Sequence, residues 1–212
     1  STNETYFFRN ERHFDALMQK SLPDISRNKK DKTLTIWSAG CSTGEEPYTI
    51  AICVLECKHL FPGWKINIKA TDIAHSVLDF AKIGTYSGRR IEKVPPEYLK
   101  RHFIQDASKP EFYTVTDEVK SLVSFGTLNL FKDRFPTDID IIFCRNVMIY
   151  FDRDHQRELV GNFYKSISKQ HGYLYIGHSE TLHAISEDFM YVKLQDAPVY
   201  IPKERMHEFS AD

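Results

Sequence analysis

Residues 34–63 read LTIWSAGCSTGEEPYTIAICVLECKHLFPG, and the fold turns on this stretch. Leu34 to Ala39 is a β-prone apolar run that stops at Gly40. Residues 44–61 then carry apolar side chains at helical spacing until Pro62-Gly63 closes the pattern. A strand, a tight turn and a helix in that order make one unit of a parallel α/β fold. The same rhythm continues downstream, with a strand at Ile66 to Thr71 ending in Asp72 and a helix over 74–83. Ile139 to Cys144 is a compact apolar strand followed by a helix over 153–169, and Tyr173 to Gly177 is another strand. Such alternation implies an open, mostly parallel sheet wrapped by helices. Residues 190–194 and 198–201 alternate in polarity around Gln195-Asp196-Ala197, which reads as an antiparallel pair at the sheet's edge. Upstream, Phe14, Leu17 and Met18 lie at helical spacing within 11–21, and Pro23 is expected to stop that helix.

Between 84 and 125 the rhythm changes. Pro95-Pro96, a short helix at 97–103 and apolar runs at Tyr113 to Thr116 and Leu122 to Phe125 read as a small β-subdomain. It would be inserted into a main domain made of 1–83 and 126–212. A long inert crossover is the alternative.

The chain has 212 residues, 42% of them apolar, enough for one well-filled core. Lys and Arg number 28 against 29 Asp and Glu, so no global field draws the protein to nucleic acid or to an anionic membrane. No apolar run approaches the roughly 20 residues that span a bilayer, so no membrane insertion is expected. Nothing after Ser1-Thr2-Asn3 has the form of a secretion leader, which makes a cytoplasmic address the expectation. A monomer is expected too. Cys41, Cys53, Cys57 and Cys144 form no CxxC pair, and neither His178 nor His183 has Cys or carboxylate company at ligand spacing, so no metal is expected.

In an open parallel sheet, ligands bind beyond the carboxyl ends of the strands, at the first strand-to-helix turn. Ser38-Ala39-Gly40-Cys41-Ser42-Thr43-Gly44-Glu45-Glu46 occupies that place. It lacks the GxGxxG spacing that lets a backbone hug a pyrophosphate, and two carboxylates follow it at once, so a cationic or amino-bearing ligand is favoured. S-adenosylmethionine has both a sulfonium and an α-ammonium group. Glu46 is equally a candidate capping-box partner for Thr43. Asp72, ending the second strand, can accept the hydroxyls of a ribose or cap the helix that follows. Asn129 and Leu130 can offer an amide and an apolar face to an adenine, or can be ordinary loop residues.

The stretch Phe143-Cys144-Arg145-Asn146-Val147-Met148-Ile149-Tyr150-Phe151-Asp152 resembles the CheR family of chemoreceptor glutamate methyltransferases. Three further segments are similar to that family in the same order: Asn3 to Arg9, Trp37 to Tyr48, and Gly177-His178-Ser179-Glu180. The resemblance implies a Rossmann-like, S-adenosylmethionine-dependent methyltransferase fold with an antiparallel C-terminal strand and a small β-subdomain insertion. It implies transfer of a methyl group to glutamate carboxylates on the cytoplasmic helices of chemoreceptors, leaving S-adenosylhomocysteine. The cofactor contacts it implies are Asn3, Thr5, Arg9, Glu46, Asp72, Asn129, Leu130, Arg145 and Asn146. Arg9 and Tyr150 would stand at the reacting centre.

Two departures matter. The family's N-terminal helical domain is absent from this sequence, which starts almost at the Asn3 to Arg9 segment. The stretch Gln105 to Glu111 has no glycine where some members carry a glycine-rich loop that captures a receptor's C-terminal peptide, so independence from that peptide is expected. Arg89, Arg90, Lys93, Lys100 and Arg101 make the insertion locally basic, a candidate complement to acidic receptor helices. A catalytically silent S-adenosylmethionine-binding signalling module and a methyltransferase for another acceptor are the competing readings.

Overall fold

The computed structural model describes residues 4–209. Ten strands are found among them: β1 (Thr33–Ala39), β2 (Lys65–Asp72), β3 (Thr85–Tyr86), β4 (Phe103–Gln105), β5 (Tyr113–Val115), β6 (Val123–Thr127), β7 (Ile141–Cys144), β8 (Tyr173–Ile176), β9 (Phe189–Leu194) and β10 (Ala197–Pro202). Seven of them form one sheet in the order β6-β2-β1-β7-β8-β10-β9, and β3, β5 and β4 form a separate three-stranded sheet. In the large sheet β1, β2, β6, β7 and β8 pair in parallel, while β10 lies antiparallel between β8 and β9. The sheet is therefore mostly parallel, as the alternation of elements implied, with the closing hairpin in place.

Successive side chains on a strand face opposite ways, so a sheet covered on both sides has strands that are apolar throughout. Ile141 and Phe143 join one core together with Leu34, Ile36, Tyr173 and Tyr175. Their neighbours Ile142 and Cys144 join the other, with Trp37, Leu174 and Ile176. The helices are α1 (Glu11–Ala16), α2 (Leu22–Asn28), α3 (Glu45–Glu56), α4 (His75–Ile83), α5 (Pro96–His102), α6 (Asp117–Ser121), α7 (Arg153–Ser166) and α8 (Met206–Phe209). Of these, α3 is buried from Pro47 through Val54, with Tyr48 and Ile50 to Val54 in the first core. In the second core α7 (Arg153–Ser166) contributes Leu159, Val160 and Phe163. From β1 the chain adds β2 and then β6 on one side, but β7 on the other. That reversal opens a crevice beyond the carboxyl ends of β1 and β7, where doubly wound folds hold their ligands.

Three expectations change. Pro23 does not stop the first helix: the chain stays helical from Glu11 to Asn28, with a π-helical turn at Leu17–Ser21 and Pro23 in the first turn of the segment that follows. A proline lacks an N–H and its ring crowds the carbonyl four residues back, and a widened turn just ahead accommodates both. The helix expected over 44–61 ends at Glu56, and Lys58–Leu60 form a separate 3-10 turn. The run at Leu122 to Phe125 is not part of the small sheet. It lies largely within β6, whose residues Val123 to Thr127 pair with Ile68 to Asp72 of β2. A short run broken by Gly126 holds no signal for which sheet it joins, and only the pairing decides.

The small sheet abuts the turn after β1. Tyr86 Oη donates to the Thr43 carbonyl at 2.6 Å, and Gly44, at φ +98°, caps α3 without a side chain of its own. A Cβ on Gly44 would stand 2.7 Å from Tyr86 Oη and 2.9 Å from Ala81 Cβ. Gly63 has a similar φ of +75° but open space around it. Gly63→Ala is expected to cost only the backbone strain, about 1 kcal/mol. Gly44→Ala adds overpacking and is expected to cost about 2–4 kcal/mol. Urea midpoints of the two variants check this, and equal losses would remove the argument from close approach.

Candidate functional site

The crevice is floored by the turn that joins β1 to α3. Four of its amides are spoken for: Gly40 and Cys41 donate to the Thr71 carbonyl, Gly44 to the Cys41 carbonyl, and Ser42 to Asp72 Oδ2 at 2.9 Å. A phosphate cradle needs free backbone N–H groups, and these four offer none. The backbone is nevertheless unusual here. Phe8, Asn10, Ser42 and Asn146, none of them glycine, hold φ between +49° and +62° around the crevice. Each such residue costs on the order of 1 kcal/mol and persists only where its surroundings enforce it, a pattern that concentrates at functional sites.

Arg145, just past β7, is the centre of the polar network. Its side chain is 4% exposed. Nε donates to Glu46 Oε2 at 2.9 Å, and Nη1 donates to the Arg9 carbonyl at 2.6 Å and to His13 Nδ1 at 3.1 Å. The guanidinium lies over the rings of Phe14 and Phe143, at 4.9 and 5.7 Å from their centroids. Glu46 Oε1 accepts from Ser38 Oγ at 2.6 Å. Among the described residues no acceptor bonds to Arg145 Nη2, and Arg145 lines the crevice.

The loop after β7 is held from the far side. Glu180 accepts from the amides of Asn146 and Gly177 at 2.8 Å each and from that of Ile149 at 3.2 Å. One carboxylate thus joins the ends of β7 and β8 and supports the left-handed Asn146. The 3-10 turn Met148–Tyr150 follows at once, leaving Tyr150 57% exposed at the lip.

Of the residues singled out in the sequence, Thr5, Arg9, Glu46, Arg145, Asn146 and Tyr150 line this one crevice. Asp72 stands behind it, with Oδ2 on Ser42 and Oδ1 on the amide of Ala74. It does not cap the helix His75–Ile83, whose N-cap is Ala74. Asn129 and Leu130 are not in the crevice lining. They sit in the turn after β6, where the amide of Asn129 donates to Asp133 and its Oδ1 accepts from the amide of Phe131. Asn3 lies outside the described residues.

The acidic pair divides its work, which corrects two sequence expectations. Glu46 makes no capping box with Thr43, because its oxygens go to Arg145 and Ser38. Glu45 turns away from the ligand side. It is fully buried, bonded to Thr43 Oγ1 at 2.5 Å and paired with Arg90 at 3.0 Å. Burial raises its pKa, with Thr43 and Arg90 pulling the other way. The crevice is therefore not anionic as the doublet suggested. Arg145 beside Glu46 presents both signs. Of the five basic residues of the insertion, Arg90 pairs with Glu45 and Arg101 with Glu56, and an exposed Arg89 stands 3.4 Å from Glu4.

Sequence reasoning missed Ser38, His13 and Glu180 as parts of this network. Glu180 stood inside a recognised segment without a role, and His13 and Ser38 showed no signal because their partners are remote in sequence.

Comparison with known proteins places these features. The description "CheR methyltransferase, SAM binding domain" matches residues 3–197. A chemotaxis protein methyltransferase of Borreliella burgdorferi is 45% identical over 188 residues, covering 86% of this chain and 65% of that one. Chemotaxis protein methyltransferase 1 of Vibrio cholerae is 36% identical, covering 94% and 72%. Chemotaxis protein methyltransferase 1 of Pseudomonas aeruginosa is 34% identical, covering 96% and 75%. The chain spans about two thirds to three quarters of the length of these relatives.

His13 links the site to stability. Burial, and then the positive charge of Arg145, push its pKa from 6.5 down to about 3. Below pH 6.5 the unfolded chain protonates this imidazole and the folded one does not, so stability falls as the pH drops from 6.5 toward 3. The contribution is at most about 1.4 kcal/mol per pH unit. Urea midpoints at pH 7, 6 and 5 should show a loss that is shallower in His13→Asn, and parallel profiles would refute it.

Proposed function

Because this chain belongs to the CheR methyltransferase family, we propose that it transfers a methyl group from S-adenosylmethionine to glutamate side-chain carboxylates of chemoreceptors. The observation that carries the cofactor side is the Arg145–Glu46 pair at a crevice where four amides of the loop, Gly40, Cys41, Ser42 and Gly44, are already committed. An amino-acid head group with one carboxylate and one ammonium fits two fixed charges of opposite sign, and a pyrophosphate does not. When bound, S-adenosylmethionine supplies an electrophilic methyl group on a sulfonium.

In this reading Arg145 Nη2 holds the carboxylate of the head group and Glu46 its ammonium. Asp72 keeps lone pairs beyond its two amide bonds and takes the ribose hydroxyls. Thr5 and Asn146 bound the same crevice, Asn129 and Leu130 contribute to the adenine side, and Asn3 is a further cofactor contact. Arg9, whose Nη1 donates to the Glu4 carbonyl at 2.7 Å, grips the incoming carboxylate, and Tyr150 closes the lip over the reacting centre. A glutamate side chain with a pKa of about 4.3 is already ionised at neutral pH, so no general base is needed. The protein's work is alignment and exclusion of water while opposite charges cancel.

The insertion, beginning at 84 and ending before β6, forms a subdomain in this reading, and the cytoplasmic helices of receptors are the partners. Independence from a receptor's C-terminal peptide draws support from the turn between β4 and β5. There Asp106 Oδ1 gathers the amides of Ser108 and Lys109, and the amide of Phe112 donates to the Lys109 carbonyl. That turn satisfies itself. The protein acts as a cytoplasmic monomer.

Calorimetric titration with S-adenosylhomocysteine tests the cofactor reading, with NAD as control. The wild type should bind the homocysteine compound alone, and Asp72→Ala should weaken it at least about tenfold, as losing a charged hydrogen-bond partner does. Binding of NAD in its place would sink the proposal.

A further inference from the structure

We infer that His13 is a positioning residue for the cofactor's carboxylate, acting through Arg145. The inference rests on the cofactor reading above and goes one residue deeper. His13 is fully buried in the first helix, does not line the crevice, and faces the guanidinium of Arg145, which does. Arg145 Nη1 can only donate, so His13 Nδ1 accepts. The imidazole is then neutral, with its proton on Nε2. That Nε2 is buried and has no partner among the described residues. The nearest ring is Tyr175, edge-on at 5.6 Å between centroids.

An orphaned buried N–H is a standing cost to the fold. Two apolar helix neighbours of His13, Phe14 and Leu17, are buried at the same depth, and an apolar residue at 13 would carry no such cost. What the imidazole adds is one acceptor that, with the Arg9 carbonyl, fixes Nη1, while Glu46 fixes Nε. With those two points held, the planar guanidinium cannot rotate, and Nη2, which no described residue engages, is the donor left for a ligand in the crevice that Arg145 lines. Neutrality is essential, since an imidazolium there would repel Arg145. The groups facing His13 are Arg145, His178 and Tyr175, and both Arg145 and His178 oppose its protonation.

The test compares S-adenosylmethionine with its decarboxylated form, by calorimetry, on the wild type and two variants. His13→Leu removes the acceptor. His13→Asn keeps an oxygen near the Nδ1 position. If His13 acts through the carboxylate, His13→Leu should weaken S-adenosylmethionine by roughly ten- to a hundredfold. It should leave the decarboxylated form within about twofold of wild type, as a coupling that needs the carboxylate requires. His13→Asn should restore most of the loss. Equal weakening of both compounds by His13→Leu, or no weakening of either, would overturn the inference, as would failure of His13→Asn to recover binding. A wild type that binds neither compound would overturn the cofactor reading itself, and the inference with it.

Discussion

The buried guanidinium of Arg145 is the constraint around which the rest of the site is arranged. A charge with a 4% exposed side chain is tolerated only when its donors find partners of matching geometry. Here the partners come from separate parts of the chain: Glu46 on α3, the Arg9 carbonyl and His13 in the N-terminal segment, and the rings of Phe14 and Phe143 beneath. Moving any of these would leave a charge or a donor stranded. Such a pair adds little to stability compared with an apolar replacement, but breaking it from one side is costly, so it acts more as a geometric lock than as glue. It locks the N-terminal segment over the crevice that the sheet opens.

A second clamp works from outside. Glu180 gathers three amides at the ends of β7 and β8 and holds the loop after β7 where Asn146 takes a left-handed conformation that short-range preferences disfavour. The small sheet supplies a third support, through Tyr86 on the Thr43 carbonyl and Arg90 on Glu45. The crevice is thus held from within by Arg145 and from outside by Glu180, Tyr86 and Arg90. In the proposed function the site's task is alignment rather than proton transfer, and such a task gains most from that kind of rigidity.

Much of the fold could be read from the sequence. The run Leu34 to Ala39, the turn at Gly40 and the start of the helix behind it sit where the pattern put them, because strand and helix periods depend on neighbours two to four residues apart. The edge hairpin was legible for the same reason. Pro23 misled because a proline permits either a stop or a helix start, and the choice lies in the widened turn ahead of it. The run 122–125 misled because strand propensity does not name a partner strand.

The sequence by itself determined the alternation of elements, the place of the glycine-containing turn after β1, and the family, through ordered segments too long to coincide by chance. Only the tertiary structure decided that Glu46 serves Arg145 rather than a helix cap, that Glu45 faces the small sheet, and that a neutral His13 lies behind the guanidinium. The physical reason is separation along the chain. Arg145 is 99 residues from Glu46 and 132 from His13, and contacts at such distances are fixed by strand order and by the desolvation of one charge, neither of which leaves a local pattern to read.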